Sequence, residues 1–91
     1  MEVDTTHRDN LKMIFNHYGY EAQSQQLIQE LAELIVAITK KDTLNFIEEL
    51  ADVLVMIGQF LTVYPDMEDS VIAIQKEKIK RQLDRINKEI L

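Results

Sequence analysis

Two pairs of carboxylates are the residues most suited to chemistry. Glu30 and Glu33 flank a Leu-Ala dipeptide, and Glu49 and Asp52 flank the same dipeptide further along the chain. Residues three apart are neighbours on a helix face, so each pair would present two acids together within an aliphatic segment. Unpaired anions in apolar surroundings are costly. Four such oxygen ligands suit a hard divalent cation, Mg2+ or Mn2+, and we predict that these acids are its ligands.

The competing interpretation is a pair of solvated helix faces. A single pair of acids three residues apart is usually exposed charge. Two pairs, each with Leu and Ala between the acids, favour a metal site instead. Glu48 is a fifth acid. It points away from the helix face that Glu49 and Asp52 share, and we interpret it as a surface group or an outer-sphere group.

The composition favours one all-α domain spanning residues 1–91. The chain has two Gly, one Pro and no Cys, and it carries a net charge of -6. So few helix breakers predict long helices, and the acidic balance argues against binding a nucleic-acid polymer. The start of the chain has no apolar leader, and the apolar run at 53–64 is too short to cross a membrane. We therefore expect a cytoplasmic location.

Four helices are predicted, joined by short connections. The first helix covers residues 7–17 after a loose lead-in, and the second covers residues 21–40. The third runs from a cap at Asp42 or Thr43 to Val63, and the fourth covers residues 67–89 with Asp66 as its cap. Short connections make consecutive helices antiparallel neighbours. The prediction is a four-helix-type bundle.

The second and third helices are apolar on most of their surface. The polar positions of the second helix share an arc of about 80°, and those of the third form a similarly narrow strip. The strip on the second helix consists of Gln23, Gln26, Glu30 and Glu33. The strip on the third helix consists of Asn45, Glu49 and Asp52, and Met56 continues it. A short chain cannot bury two such helices alone. We expect a homo-oligomer, a dimer or a tetramer, with the acidic strips facing an interior cleft.

The last helix supplies positive charge. Lys78, Gln82 and Arg85 are spaced four and three residues apart, so they share one face beside a stripe of isoleucines. A Lys and an Arg in line can hold a phosphate chain, the Arg by a bidentate fork. The alternative is ordinary exposed cations near a helix C-terminus.

Several segments together resemble the MazG-like all-alpha nucleoside triphosphate pyrophosphohydrolases. The similarity comprises the two acidic pairs, residues 18–34 and 48–54 around them, and a C-terminal Lys and Arg at the family's spacing, over roughly residues 15–88. Gln82 stands where the family pattern has Asn, but its amide keeps the same hydrogen-bonding capacity.

The resemblance implies a Mg2+-dependent enzyme that cleaves a nucleoside triphosphate between the alpha and beta phosphates. The products would be a nucleoside monophosphate and pyrophosphate, and a nucleotide-pool house-cleaning role would fit the family. The four acids would be the catalytic metal ligands, and the sequence leaves open which glutamate positions the water. Gln23, Lys78, Gln82 and Arg85 would bind substrate, and Tyr18, Tyr20 and Phe46 are candidates for stacking on the base.

Three alternatives remain at this stage. A phosphoribosyl-ATP pyrophosphohydrolase would share the fold and the acidic motif. A di-iron carboxylate bundle uses Glu-x-x-His, and neither acidic pair here is followed by His. A non-catalytic helical interaction module would show no effect of Mg2+.

Overall fold

The computed structural model describes residues 5–90, and every secondary-structure element in them is an α-helix. The helices are α1 (Thr5–Tyr18), α2 (Tyr20–Lys40), α3 (Thr43–Val63) and α4 (Pro65–Ile90). The predicted all-α fold with four helices is confirmed. Residues 1–4, where the start of the lead-in and the absence of a leader were predicted, lie outside the described residues. A single domain over residues 1–91 stays a prediction.

The first two junctions follow from local backbone chemistry. Gly19 has φ 91°, which L side chains rarely adopt, and its N–H donates to the Phe15 carbonyl at 2.8 Å as α1 ends. Lys41 has φ 55° in the left-handed region and ends α2. Asp42 then caps α3, since its side chain accepts the Asn45 N–H at 3.2 Å. The predicted cap at Asp42 is confirmed.

The start of α4 differs from the sequence prediction. The helix begins at Pro65, so Asp66 lies in its first turn and the prediction that Asp66 caps it is wrong. Proline suits the first helical position because its missing N–H has no intrahelical partner there and its φ is already helical. The start of α1 is also earlier than predicted, at Thr5, so the lead-in does not include residues 5 and 6.

The small hydrophobic core lies where α3 packs against both α1 and α2. Gly58 on α3 allows α1 to approach closely, because a Cβ at this position would lie 3.2 Å from Leu11 Cδ1. The buried apolar side chains of the described residues are Leu11, Phe15, Ala37, Val53 and Met56.

An aromatic cluster joins the ends of three helices. Phe15 makes edge-on contacts with Tyr20, Phe60 and Tyr64, with ring centroids 6.4, 5.1 and 5.8 Å away. Such contacts contribute about 0.5–1.5 kcal/mol per pair beyond the burial of area. The cluster therefore fixes the start of α2 against the end of α3.

A buried amide pair fixes the register of α2 on α3. Gln23 Nε2 donates to Gln59 Oε1 at 2.7 Å, and Gln59 Nε2 contacts Met56 Sδ at 3.6 Å. Glu30 is seven residues after Gln23 on α2, and Asp52 is seven residues before Gln59 on α3. Because the helices run antiparallel, this pair aligns the two acidic segments.

Much apolar surface remains exposed in the single chain. Among the described helices, the backbone of α4 comes close only to that of α3, and every described side chain of α4 after Val71 is exposed. Ile79 is 59% and Leu83 55% exposed on α4, and Ile28 and Ile35 on α2 are 67% and 64% exposed. So large an apolar surface is typical of an interaction face. Within residues 5–90, no helix combines the length and the apolarity needed to cross a bilayer.

We expect the chain to assemble with copies of itself through α4. Leu83→Glu should shift the protein toward monomer in sedimentation velocity, because it places a charge within the apolar stripe that contains Ile79 and Ile86. Arg81→Glu is the control, since Arg81 lies about 160° from Leu83 around the helix, and it should leave the distribution unchanged. Sedimentation of the unmodified protein as a monomer would contradict the prediction.

Candidate functional site

The antiparallel packing of α2 on α3 brings the acids together. One carboxylate oxygen from each of Glu30, Glu49 and Asp52 lies within 4.8 Å of the others. Glu30 and Glu49 are half-buried, and Asp52 is exposed. Within the described residues, no Lys or Arg forms an ion pair with any of these acids. The result is a concentrated negative charge without a counter-ion from the residues that the structure describes.

Two oxygens of this acidic cluster have no hydrogen-bond partner among the described residues. Oε2 of Glu30 and Oε2 of Glu49 are buried and unpaired. A buried carboxylate oxygen without a partner is costly, so such atoms require an explanation. A divalent cation with oxygen ligands would supply the missing partner to both atoms, and the residues present therefore fit a metal ion.

Glu33 lies beside the cluster rather than within it. Its side chain is exposed, and its Oε1 accepts a hydrogen bond from Gln29 Nε2 at the long distance of 3.5 Å. Its carboxyl group also contacts that of Glu49. The structure thus groups three of the four predicted ligands and places the fourth next to them.

The crowding of acids is reflected in the titration of Glu49. Burial is the largest cause that raises the pKa of Glu49, followed by a hydrogen bond with the Glu33 carboxyl group and by the charges of Glu33, Asp52 and Glu30. Together these causes bring the pKa from 4.5 to about 6. The folded chain therefore disfavours an ionised Glu49 when no cation is present.

The predicted substrate-binding residues are not gathered around these acids. Gln23 is only 6% exposed, and its amide nitrogen is engaged by Gln59. Contact of Gln23 with a sugar or base would require that hydrogen bond to open, and this role stays a prediction. Lys78, Gln82 and Arg85 are exposed on α4, and no ion pair joins them to the acids within the described residues.

The three aromatic candidates occupy separate places. Tyr20 belongs to the aromatic cluster around Phe15, whereas Tyr18 is 62% exposed and packs only edge-on against His17 among the described ring pairs. Phe46 lines a depression at the junction of α2 and α3. A different cleft of about 290 Å³ adjoins the acids, lined by Gln29, Ala32, Glu33, Val36, Asn45 and Glu49.

Two glutamines near the acids were not given a role by the sequence. Gln59 is almost fully buried at 1% exposure and binds Gln23. Its position seven residues after Asp52 on the polar strip of α3 was the available signal. Gln26 was placed on the polar strip of α2, and its amide nitrogen donates to Glu30 Oε1 at 2.8 Å.

The raised pKa gives a pH-dependent stability for the metal-free protein. Because Glu49 binds its proton more tightly when folded, its favourable contribution is complete below about pH 4.5 and is lost as the pH rises through 6. Glu49→Gln removes this loss. In EDTA, thermal unfolding should therefore show Glu49→Gln gaining stability over the unmodified protein between pH 4.5 and 7.

Glu48→Gln is the matched control, since Glu48 is the adjacent exposed acid and lies outside the acidic cluster. Its unfolding midpoint should follow that of the unmodified protein across the same pH range. An effect of Glu49→Gln that is equal at every pH would contradict the assigned cause.

Comparison with known proteins identifies the family. A family model described as the MazG nucleotide pyrophosphohydrolase domain matches residues 19–87, about three quarters of the chain, and this range includes all four acids as well as Lys78 and Arg85. No curated protein and no solved structure matched the chain. The match and the all-helical structure support the same assignment. The chain belongs to the MazG nucleotide pyrophosphohydrolase domain family.

Proposed function

We propose that this protein is a Mg2+-dependent nucleoside triphosphate pyrophosphohydrolase that releases a nucleoside monophosphate and pyrophosphate. The observation that carries the proposal is the pair of buried, unpartnered oxygens on Glu30 and Glu49 beside Asp52. Family membership supports nucleotide pyrophosphohydrolysis in general. Removal of unwanted nucleotides from the cellular pool is the role that we propose for such an activity.

The acids hold the cation in this proposal. Glu30, Glu49 and Asp52 provide the converging oxygens, and Glu33 completes the set from its position beside Glu49. Bound Mg2+ would neutralise charge on the phosphate oxygens and orient the phosphate chain. Mn2+ has the same preference for oxygen ligands and would substitute for it.

Besides completing the set of acids around the cation, Glu33 is the acid that we assign to the attacking water. It lies outside the three-residue group, it is exposed, and it borders the 290 Å³ cleft. An acid not fully engaged by a cation can accept a hydrogen bond from water and take up its proton. Glu33 would thus orient the water for in-line attack on phosphorus.

The basic residues of α4 would bind the phosphates. Lys78 and Arg85 form no ion pair within the described residues, and Gln82 lies between them on the same face. Cations at the phosphate oxygens stabilise the charge of the transition state. Since every described side chain of α4 after Val71 is exposed, we assign these residues to the acidic site of a neighbouring copy.

The proposal predicts pyrophosphate release that depends on both Mg2+ and Glu49. Purified protein would be assayed on canonical and modified ribo- and deoxyribonucleoside triphosphates and on phosphoribosyl-ATP, with Mg2+, Mn2+ or EDTA. Chromatography would identify the product as a monophosphate rather than a diphosphate. Glu49→Gln should lower turnover roughly a hundredfold or more, because the site loses a charged ligand oxygen.

Glu48→Gln serves as the control and should retain full activity. Absence of turnover with every substrate would reject the enzymatic function and favour an interaction module. Turnover of phosphoribosyl-ATP alone would favour that narrower activity. Activity in Glu49→Gln equal to that of the unmodified protein would reject the assigned site.

A further inference from the structure

Gln26 holds one oxygen of a proposed metal ligand. It lies one helical turn before Glu30 on α2, and it is half-buried. Its Nε2 donates a hydrogen bond to Glu30 Oε1 at 2.8 Å. A hydrogen bond to a carboxylate is stronger than one between neutral groups, so it fixes the orientation of the Glu30 side chain.

The second oxygen of Glu30 is left without a partner. Oε2 is buried and accepts no hydrogen bond, although Oε1 of the same carboxylate is satisfied. Glu30 therefore has two unlike oxygens, one that accepts a hydrogen bond from Gln26 and one that is buried without a partner among the described residues.

The same helix contains a natural comparison. Gln29 has the same four-residue spacing to Glu33 as Gln26 has to Glu30, but its hydrogen bond is 3.5 Å long and exposed. Solvent competes with such a long, exposed contact. Of these two Gln–Glu pairs, only Gln26–Glu30 constrains an acid that belongs to the three-residue cluster.

We propose that Gln26 is a positioning residue that limits Glu30 to one ligating oxygen and thereby favours Mg2+ over Ca2+. Mg2+ requires near-ideal octahedral geometry, whereas Ca2+ has a flexible shell and accepts both oxygens of a carboxylate. Groups that hydrogen-bond to metal ligands commonly change metal affinity 10–100-fold. This inference rests on the proposed metal site, and it adds a residue that controls which cation the site accepts.

The test measures binding of the cation alone. Thermal unfolding midpoints of metal-free protein would be recorded against MgCl2 and against CaCl2 at constant ionic strength, since a ligand of the folded state raises stability with concentration. Gln26→Met preserves side-chain length but removes the donor. We expect its apparent Kd for Mg2+ to rise about tenfold, with the Kd for Ca2+ unchanged or lower.

Gln29→Met is the matched control and should keep the Mg2+ to Ca2+ affinity ratio of the unmodified protein. Gln26→Ala, a smaller substitution, provides a second test if Gln26→Met does not fold. A selective loss of Mg2+ affinity in a Gln26 variant supports the inference.

The outcomes separate this inference from the proposed function. Loss of affinity for both cations in equal proportion, or of neither, would overturn the role of Gln26 while leaving the metal site intact. If the unmodified protein is stabilised by neither cation, the metal site itself is rejected, and the role of Gln26 is rejected with it.

Discussion

Mutual repulsion among the clustered carboxylates of α2 and α3 is the constraint that the rest of the structure must overcome. The packing of α2 on α3 holds one carboxylate oxygen from each of Glu30, Glu49 and Asp52 within 4.8 Å of the other two. It also leaves one oxygen of Glu30 and one of Glu49 buried without a partner among the described residues. In the metal-free chain this arrangement opposes folding, as the raised pKa of Glu49 shows. The rest of α2 and α3 must supply enough favourable contact to keep these acids together.

That support comes from uncharged contacts on one side of the acids. The buried bond between Gln23 and Gln59 lies about two helical turns away and sets the register of the two helices. Beyond it, the aromatic rings around Phe15 fix the end of α3 against the start of α2. The Gln23–Gln59 hydrogen bond and the aromatic cluster hold the acids of α2 and α3 close together, and neither adds a positive charge that would neutralise them. In the metal site that we propose, this positioning of the ligands would favour the binding of a cation.

The sequence predicted the four helices because they leave periodic signals, and it predicted that acids of the second and third helices would lie close together, as Glu30, Glu49 and Asp52 do. Apolar spacing and scarce helix breakers defined the four helices, and the α3 cap at Asp42 follows from local chemistry. The cap predicted at Asp66 was wrong because Pro65 can itself begin a helix. The burial of Gln23 could not be predicted, because it depends on Gln59, a partner 36 residues away. The long-range pairing of Gln23 with Gln59, and the position of Glu33 beside the other three acids rather than among them, depend on how the helices pack and not on the spacing of residues in the sequence.

Family membership supports nucleotide pyrophosphohydrolysis as the activity of this chain, and the clustered acids are the ligands that we propose for a cation. The most direct measurement is anomalous X-ray diffraction, at the manganese absorption edge, from crystals grown with Mn2+. We expect an anomalous peak between the carboxylates of Glu30, Glu49 and Asp52. The absence of an anomalous peak among these three acids, in crystals grown with saturating Mn2+, would contradict a metal site at the junction of α2 and α3.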